Sequence, residues 1–232
     1  MPFITLDGET DFDGWRKAAR VLVQNHVHPS DVTWMAGGHA PEPGEPSTLL
    51  PERPRDTFNV PAKFVALAQS AILHRDPLRF ALLYRLLWRL CGNHDLLVVT
   101  TDPDVSQASA MAKAVQRDQR RMRASVRFRE IGREHKSHYV AWFEPEHHIV
   151  EGSAPFFASR FADMPWSILT PDVCAHWDGH AVLITPGISK TEAPTENRLE
   201  ETWRRMCAGV FNPARLKATP AGAGKRTLRQ RR

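Results

Sequence analysis

The densest run of chemically capable side chains in this sequence is Glu144-Pro145-Glu146-His147-His148. Carboxylates and imidazoles can bind a divalent metal ion or transfer protons as general acids and bases. Three further histidines and an aspartate belong to the same chemical class: His138, His176, His180 and Asp178. The candidate catalytic residues are Glu144, Glu146, His147, His148 and Asp178.

The spacing of this run does not favour a metal centre. It matches neither HExxH nor a comparable ligand pattern, and neighbouring histidines on a helix point about 100° apart. Helix capping and buried hydrogen bonding are competing roles for the same side chains. The sequence also has no GxSxG elbow, P-loop or dinucleotide fingerprint. We therefore predict neither a metal ion nor another cofactor.

A second set of side chains could bind an anionic polymer. Residues 104–125 have the period of an amphipathic helix. One face of that helix is apolar: Val105, Ala108, Met111, Ala112, Val115 and Met122. The opposite face carries four cations: Lys113, Arg117, Arg120 and Arg121. A row of cations is typical of a contact with the phosphate backbone of nucleic acid, and a solvated helix face has the same pattern.

The basic pattern continues beyond this helix. In residues 126–129 apolar positions alternate with Arg127 and Arg129, as on a half-buried strand. These two arginines extend the phosphate-binding row, or they form an ion-pair ladder if Glu144 or Glu146 faces them on a neighbouring strand. The predicted nucleic-acid-binding residues are Lys113, Arg117, Arg120, Arg121, Arg127 and Arg129.

Length and composition limit the class of protein. The 232 residues are 42% hydrophobic and 25% charged, which is typical of a globular protein that needs no disulfide or metal to fold. The net charge of +5 permits an acidic partner without requiring one. Cys91, Cys174 and Cys207 form no CxxC pair, which indicates free thiols. Neither a signal peptide nor an apolar run of about 20 residues is present, so we predict a cytoplasmic protein without membrane contact.

Hydrophobic periodicity predicts a single α+β domain over residues 1–217, with helices packed on a mostly antiparallel sheet. Helices are predicted to begin near Asp11 or Asp13, Pro61, Asp76, Asp104, His147 and Thr195. Strands are predicted over residues 3–6, 31–35, 126–129, 139–143, 166–169 and 181–185. Residues 37–55, rich in Gly, Pro and Glu, are predicted as an exposed loop, and residues 218–232 as a disordered basic tail.

The helix that begins near Asp76 is apolar nearly all round. Its three arginines, Arg79, Arg85 and Arg89, therefore need solvent, a carboxylate or a ligand, because a lone buried guanidinium is too costly.

An ordered set of segments is similar to one known family. The segments are 58–61 (FNVP), 74–77 (HRDP), 79–89 (RFALLYRLLWR), 113–118 (KAVQRD), 126–130 (VRFRE), 141–148 (AWFEPEHH), 154–157 (APFF), 166–171 (WSILTP), 177–179 (WDG) and 211–217 (FNPARLK). Together they resemble the bacterial "domain of unknown function 4130" family of DNA-metabolism or DNA-repair proteins, over nearly the whole chain up to Lys217.

The resemblance implies partners rather than catalytic residues. It implies a role beside a radical-SAM protein of DNA modification or repair, and in some members a uracil-DNA glycosylase-like domain follows. This chain departs from the family pattern around Met122, where Arg120 and Arg121 replace the usual histidine and lysine and Arg123 and Ser125 follow. It departs again after Lys217, where the family continues with an aromatic-containing segment.

Three functions are open at this point. The first is a DNA-binding accessory protein that uses the basic helix face and the tail. The second is an enzyme acting on nucleic acid through the Glu/His/Asp residues, which predicts that they converge in one pocket. The third is a protein-binding subunit without nucleic-acid contact, which predicts a large exposed apolar patch.

Overall fold

A computed structural model of the chain describes residues 3–37, 59–131 and 138–189. The predicted tail, the helix predicted from Thr195 and all of the predicted 37–55 loop except Gly37 lie outside these ranges. The extent of the predicted single domain, residues 1–217, stays a prediction.

The described ranges contain five α-helices and seven strands. The helices are α1 (Phe12–Gln24), α2 (Ala62–Ala71), α3 (Arg79–Gly92), α4 (Pro103–Ser125) and α5 (Val150–Arg160). The strands are β1 (Phe3–Leu6), β2 (Thr33–Ala36), β3 (Arg129–Ile131), β4 (His138–Trp142), β5 (Trp166–Leu169), β6 (Val173–Trp177) and β7 (Val182–Pro186). Within these ranges no helix is both long and apolar enough to cross a bilayer.

The strands form two sheets. Strands β1 and β2 are a parallel pair connected through α1. The second sheet has the order β3-β4-β5-β6-β7 and is antiparallel except for β4 and β5, which are parallel because α5 crosses between them. The predicted α+β class with a mostly antiparallel sheet is confirmed.

Helix α4 is the longest helix of the described ranges, and it contributes to two hydrophobic cores. Asp102 caps its first turn, accepting from the backbone N–H groups of Asp104 (3.0 Å) and Val105 (3.2 Å). All six predicted core residues of this helix are buried. Those from Val105 to Ala112 pack in a core with α1, α2 and α3, whereas Val115 and Met122 pack in a core with α5 and the five-stranded sheet.

Several predicted element boundaries are wrong, among them the start of α3, which lies at Arg79 rather than near Asp76. The backbone of residues 126–128 is not a strand, because Val126 ends α4 and donates to the Met122 carbonyl (3.0 Å). Helix α5 begins at Val150 rather than His147, because contacts from other elements hold the preceding backbone in a bend. Strand β6 was not predicted, since its buried sequence VCAHW lacks the alternation of a half-buried strand.

A chain of polar side chains crosses the interior of the larger sheet. His138 Nε2 lies 2.8 Å from Ser167 Oγ, which lies 2.7 Å from His176 Nδ1, and His176 Nε2 lies 3.0 Å from Thr185 Oγ1. Thr185 donates onward to the Pro186 carbonyl (3.4 Å) and therefore accepts from His176. His176 then accepts from Ser167, and Ser167 accepts from His138. His176, which accepts at one ring nitrogen and donates at the other, must therefore be neutral.

Acid should destabilise the fold through these histidines. Burial lowers the pKa of His138 and of His176 to about 4, whereas both titrate near 6.5 in the unfolded chain. Between these values the unfolded state binds more protons, so stability falls as the pH drops from about 6.5 to about 4. For His176 alone the loss is about 3 kcal/mol at pH 4. Urea unfolding at several pH values should therefore show a shallower pH dependence for His176→Gln. Equal slopes for the two proteins would contradict the assignment.

Candidate functional site

The exposed face of α4 carries a row of three cations, Lys113, Arg117 and Arg120, which we call the basic strip. The helical rise places Lys113 and Arg120 about 10 Å apart along the axis. Within the described ranges, no carboxylate lies within ion-pair distance of any of the three. Among the residues that the structure describes, the positive charge of the strip is therefore uncompensated.

The two carboxylates of α4 are engaged elsewhere. Asp104 accepts from Arg85 (2.6 and 2.9 Å) and from Arg89 (2.9 Å), and the hydrogen bond from Arg85 is the largest cause that lowers the pKa of Asp104. Asp118 faces the core, and only 1% of its side chain is exposed. Arg85 and Arg89 of α3 thus pair with a carboxylate, which is one of the three environments expected for arginines in an apolar helix.

The other predicted basic residues differ from the strip. Arg121 donates through Nε and Nη2 to Asp118 Oδ1 (3.0 and 2.7 Å), and Nη2 also donates to the Glu144 carbonyl (2.9 Å). Arg127 donates to the backbone carbonyl of Ala124 (2.7 Å). Arg121 is therefore a structural residue at the edge of the strip.

Arg129 is exposed at the start of β3, opposite Val140 of β4. The acidic residues Glu144 and Glu146 follow the end of β4. They are therefore not the cross-strand neighbours of Arg129 that an ion-pair ladder would require.

The loop that carries His147 and His148 is held by side chains from distant elements. Asp118 Oδ2 accepts from the backbone N–H groups of Glu146 (2.8 Å) and His147 (3.0 Å). Arg75 Nε donates to the Glu146 carbonyl (3.0 Å), and the His148 N–H donates to the Leu73 carbonyl (2.9 Å). These bonds fix the loop against α4 and against the segment that follows α2.

The two histidines line an open cleft of about 500 Å³, which we call the polar cleft. Three segments that are distant in sequence form it: the β1–α1 loop, the start of α5 and the β5–β6 connection. Their polar side chains are Glu9, Thr10, His147, His148, Glu151 and Asp172.

The predicted catalytic residues are only partly brought together. His147 and His148 line the polar cleft, whereas the Glu146 side chain is 69% exposed and lies 3.5 Å from Arg121 Nη2. Glu144 is exposed and accepts from Trp142 Nε1 (3.4 Å). The five predicted residues therefore do not share one pocket.

The remaining polar candidates have structural positions. Asp178 accepts from the backbone N–H groups of His180 (2.7 Å) and Ala181 (2.8 Å) in the β6–β7 turn, where Gly179 has a φ of 99°. His138 and His176 belong to the polar chain inside the sheet. The turn backbone and the sheet interior thus account for the side chains of Asp178, His138 and His176, whereas the exposed His180 contributes its backbone N–H to the turn.

Charged pairs surround the polar cleft and position its side chains. Arg79, with 1% of its side chain exposed, donates to Glu9 Oε2 (2.5 Å), and Arg75 forms an ion pair with Asp172. His148 Nε2 lies 3.9 Å from Glu9 Oε2. Burial is the largest cause that lowers the pKa of His148, and Arg79 adds to it. The imidazole therefore faces the cleft in its neutral form at neutral pH.

Sequence reasoning missed Glu9, Thr10, Glu151 and Asp172. No local motif marks them, because their meeting is a tertiary contact between segments far apart in the chain. Asp118 and Arg79 did carry a signal, as an acid beside a basic face and a cation in an apolar helix. Within the part of the chain that the structure describes, no group of three or more His, Cys, Asp and Glu side chains could bind a metal ion.

No curated protein and no solved structure matches the chain. The DUF4130 family model, described as a domain of unknown function, matches residues 77–221, which is more than half of the sequence. The matched region begins just before α3 and includes the basic strip, the His147–His148 loop and Glu151, whereas Glu9 and Thr10 precede it. The resemblance found in the sequence is thereby confirmed, and the chain belongs to the DUF4130 family.

Proposed function

We propose that this protein is an accessory factor of DNA metabolism that binds nucleic acid through phosphate contacts of its basic strip. The observation that carries the proposal is the exposed row Lys113, Arg117 and Arg120, which has no carboxylate partner in the described ranges. Cations arranged in this way displace condensed counterions from a nucleic acid and bind with little sequence preference.

An aromatic side chain beside the strip supports contact with single strands. Arg123 lies one helical turn beyond Arg120, and its guanidinium carbon is 4.8 Å from the ring centroid of Phe156. Phe156 is 39% exposed. Exposed aromatic rings next to cations are a common platform on which unpaired bases stack.

Exposed apolar surface gives less support to a purely protein-binding role. Among the described residues, the large apolar side chains that are exposed are few and come from three segments: Leu78, the neighbours Val98 and Val99, and Phe156. Scattered apolar side chains are normal on a protein surface. A radical-SAM protein or a uracil-DNA glycosylase-like domain, as the family resemblance implies, is the partner in this proposal, and the cytoplasm is the compartment.

Reversing two charges of the strip should weaken nucleic-acid binding. We expect Arg117→Glu/Arg120→Glu to raise the dissociation constant for single-stranded DNA at least about tenfold, because two phosphate contacts are lost. The slope of log affinity against log salt should become shallower by about 1.4 for single strands. Fluorescence anisotropy between about 50 and 200 mM salt measures both quantities.

Two controls make this experiment specific. Lys17→Glu/Arg20→Glu changes the net charge equally on the exposed face of α1 and should retain most of the affinity. Arg121 is left unchanged, because it holds Asp118 and the Glu144 carbonyl. Equal losses in both double variants would show that net charge alone attracts DNA and would contradict the proposed surface.

A further inference from the structure

We infer that the polar cleft binds an unstacked base bearing an exocyclic amino group, with the Glu151 carboxylate accepting from that amino group. This inference rests on the proposed function, because nucleic acid held on the basic strip supplies the base. The chemical feature that the cleft recognises is an N–H donor attached to an apolar group. A free amine shares this feature, so the test separates the two sources.

The cleft is a built site, since buried charged groups position its walls. The Arg79 guanidinium donates to the carbonyls of Ile72 (2.6 Å), Asp76 (3.0 Å) and Glu9 (2.9 Å), and also to the Glu9 carboxylate. On the other wall, buried Asp118 holds the backbone of His147. Buried ion pairs add little net stability, and such supporting groups are typical of sites that must keep one geometry.

The floor of the cleft offers mainly acceptors. Thr10 Oγ1 donates its hydrogen to Glu151 Oε2 (2.9 Å), so that its hydroxyl presents only lone pairs to a ligand. Glu151 and Glu9 each keep a second carboxylate oxygen, and Pro171 has no N–H. The imidazoles of His147 and His148 add N–H donors, so a ligand that satisfies the whole lining supplies both donors and acceptors, as an amino-bearing base does.

Charge excludes a phosphate from the same position. Arg79 compensates Glu9 and Arg75 compensates Asp172, whereas Glu151 has no cationic partner within the described ranges. The cleft therefore keeps one negative charge, which attracts amino groups and repels phosphates. Phosphates are thus directed to the strip and the base to the cleft.

Lining and position agree with a heterocyclic base. Pro171 and Val173 add apolar surface to the polar lining, against which a ring can pack. The loop from Glu144 to His148 connects the two surfaces, because the Glu144 carbonyl accepts from Arg121 at the edge of the strip and His148 lines the cleft. Four residues span at most about 14 Å, so the backbone of Glu144 and that of His148 lie within that distance of each other.

A single base exchange tests the inference. Cytosine presents an amino group where thymine presents a carbonyl oxygen. We expect an oligothymidylate with one central cytosine to bind about tenfold more tightly than the all-thymine strand at the same salt concentration. Glu151→Gln should remove this preference, because its amide can also donate to thymine O4, whereas the dependence of binding on Arg117 and Arg120 should persist. Glu151 is exposed in the first turn of α5, so the substitution preserves the fold.

Further experiments distinguish a failure of this inference from a failure of the proposed function. No cytosine preference in a protein whose DNA binding still depends on Arg117 and Arg120 would overturn the inference and leave the proposed function intact. If DNA does not bind at all, NMR titration with cytidine and uridine decides: Glu151-dependent shifts with cytidine alone support the cleft, and equal or absent shifts overturn it. Ethylammonium and cytidine are also compared as competitors for the cleft at constant ionic strength. If ethylammonium competes as effectively as cytidine, the cleft binds a free amine and not a base.

Discussion

Replacing Asp118 by alanine should lower the free energy of unfolding by about 3–5 kcal/mol, because it leaves two backbone N–H groups and the half-exposed Arg121 guanidinium without their acceptor. The carboxylate accepts from two backbone N–H groups, those of Glu146 and His147, and from two nitrogens of Arg121. No water can replace it easily, since only 1% of its side chain is exposed. Urea unfolding of the purified variant measures the loss.

Two companion variants make this result interpretable. Asp118→Asn keeps the volume and one accepting oxygen, so its loss should be smaller than that of the alanine variant. Asp163→Ala removes an exposed carboxylate after α5 and should change stability by less than about 0.5 kcal/mol. A loss below about 1 kcal/mol for Asp118→Ala would show that the loop does not depend on this carboxylate.

Replacing Arg79 by methionine should cost a similar amount, about 3–5 kcal/mol. Methionine fills the volume but leaves the Glu9 carboxylate without its cation and the carbonyls of Ile72 and Glu9 without the guanidinium donor, whereas the Asp76 carbonyl keeps the backbone N–H of residue 79. Arg79→Lys keeps the charge, yet one ammonium group cannot reach acceptors arranged around a planar guanidinium, so we expect a loss of about 2 kcal/mol or more. Chemical denaturation quantifies both variants.

An exposed ion pair provides the control for Arg79. Arg16 lies 3.8 Å from Asp13, with 60% and 77% of the two side chains exposed. Arg16→Met should change stability by less than about 1 kcal/mol, because solvent screens exposed pairs. A double-mutant cycle with Glu9→Gln then isolates the coupling between Arg79 and Glu9. Equal effects at Arg79 and Arg16 would contradict the role of burial.

The sequence predicted best where local periodicity determines structure. Helix α4 was placed to within one residue of its start, and its whole apolar face is buried, because residues spaced three and four apart necessarily share a face. That Arg85 and Arg89 would reach solvent, a carboxylate or a ligand was also predictable, because a lone buried guanidinium is too costly, and both pair with carboxylates while half-exposed.

The sequence predicted least where partners come from far along the chain. His147 and His148 were recognised as chemically capable, but Glu144 and Glu146 were chosen as their partners because they are adjacent. In the fold, Glu9 from the β1–α1 loop approaches His148 instead, and Asp118 controls the backbone that was predicted to be helical. Such convergence depends on tertiary packing, which no local spacing encodes.

The uninterrupted course of α4 through both hydrophobic cores has a consequence for cooperativity. Its 23 residues form a rod of about 35 Å, and neither core can open without exposing part of this shared element. Native-state opening is therefore concentrated in peripheral segments, while the backbone beneath Lys113, Arg117 and Arg120 is among the last to exchange its amide hydrogens. The spacing of the three charges is thus preserved through the local fluctuations that loosen the rest of the surface.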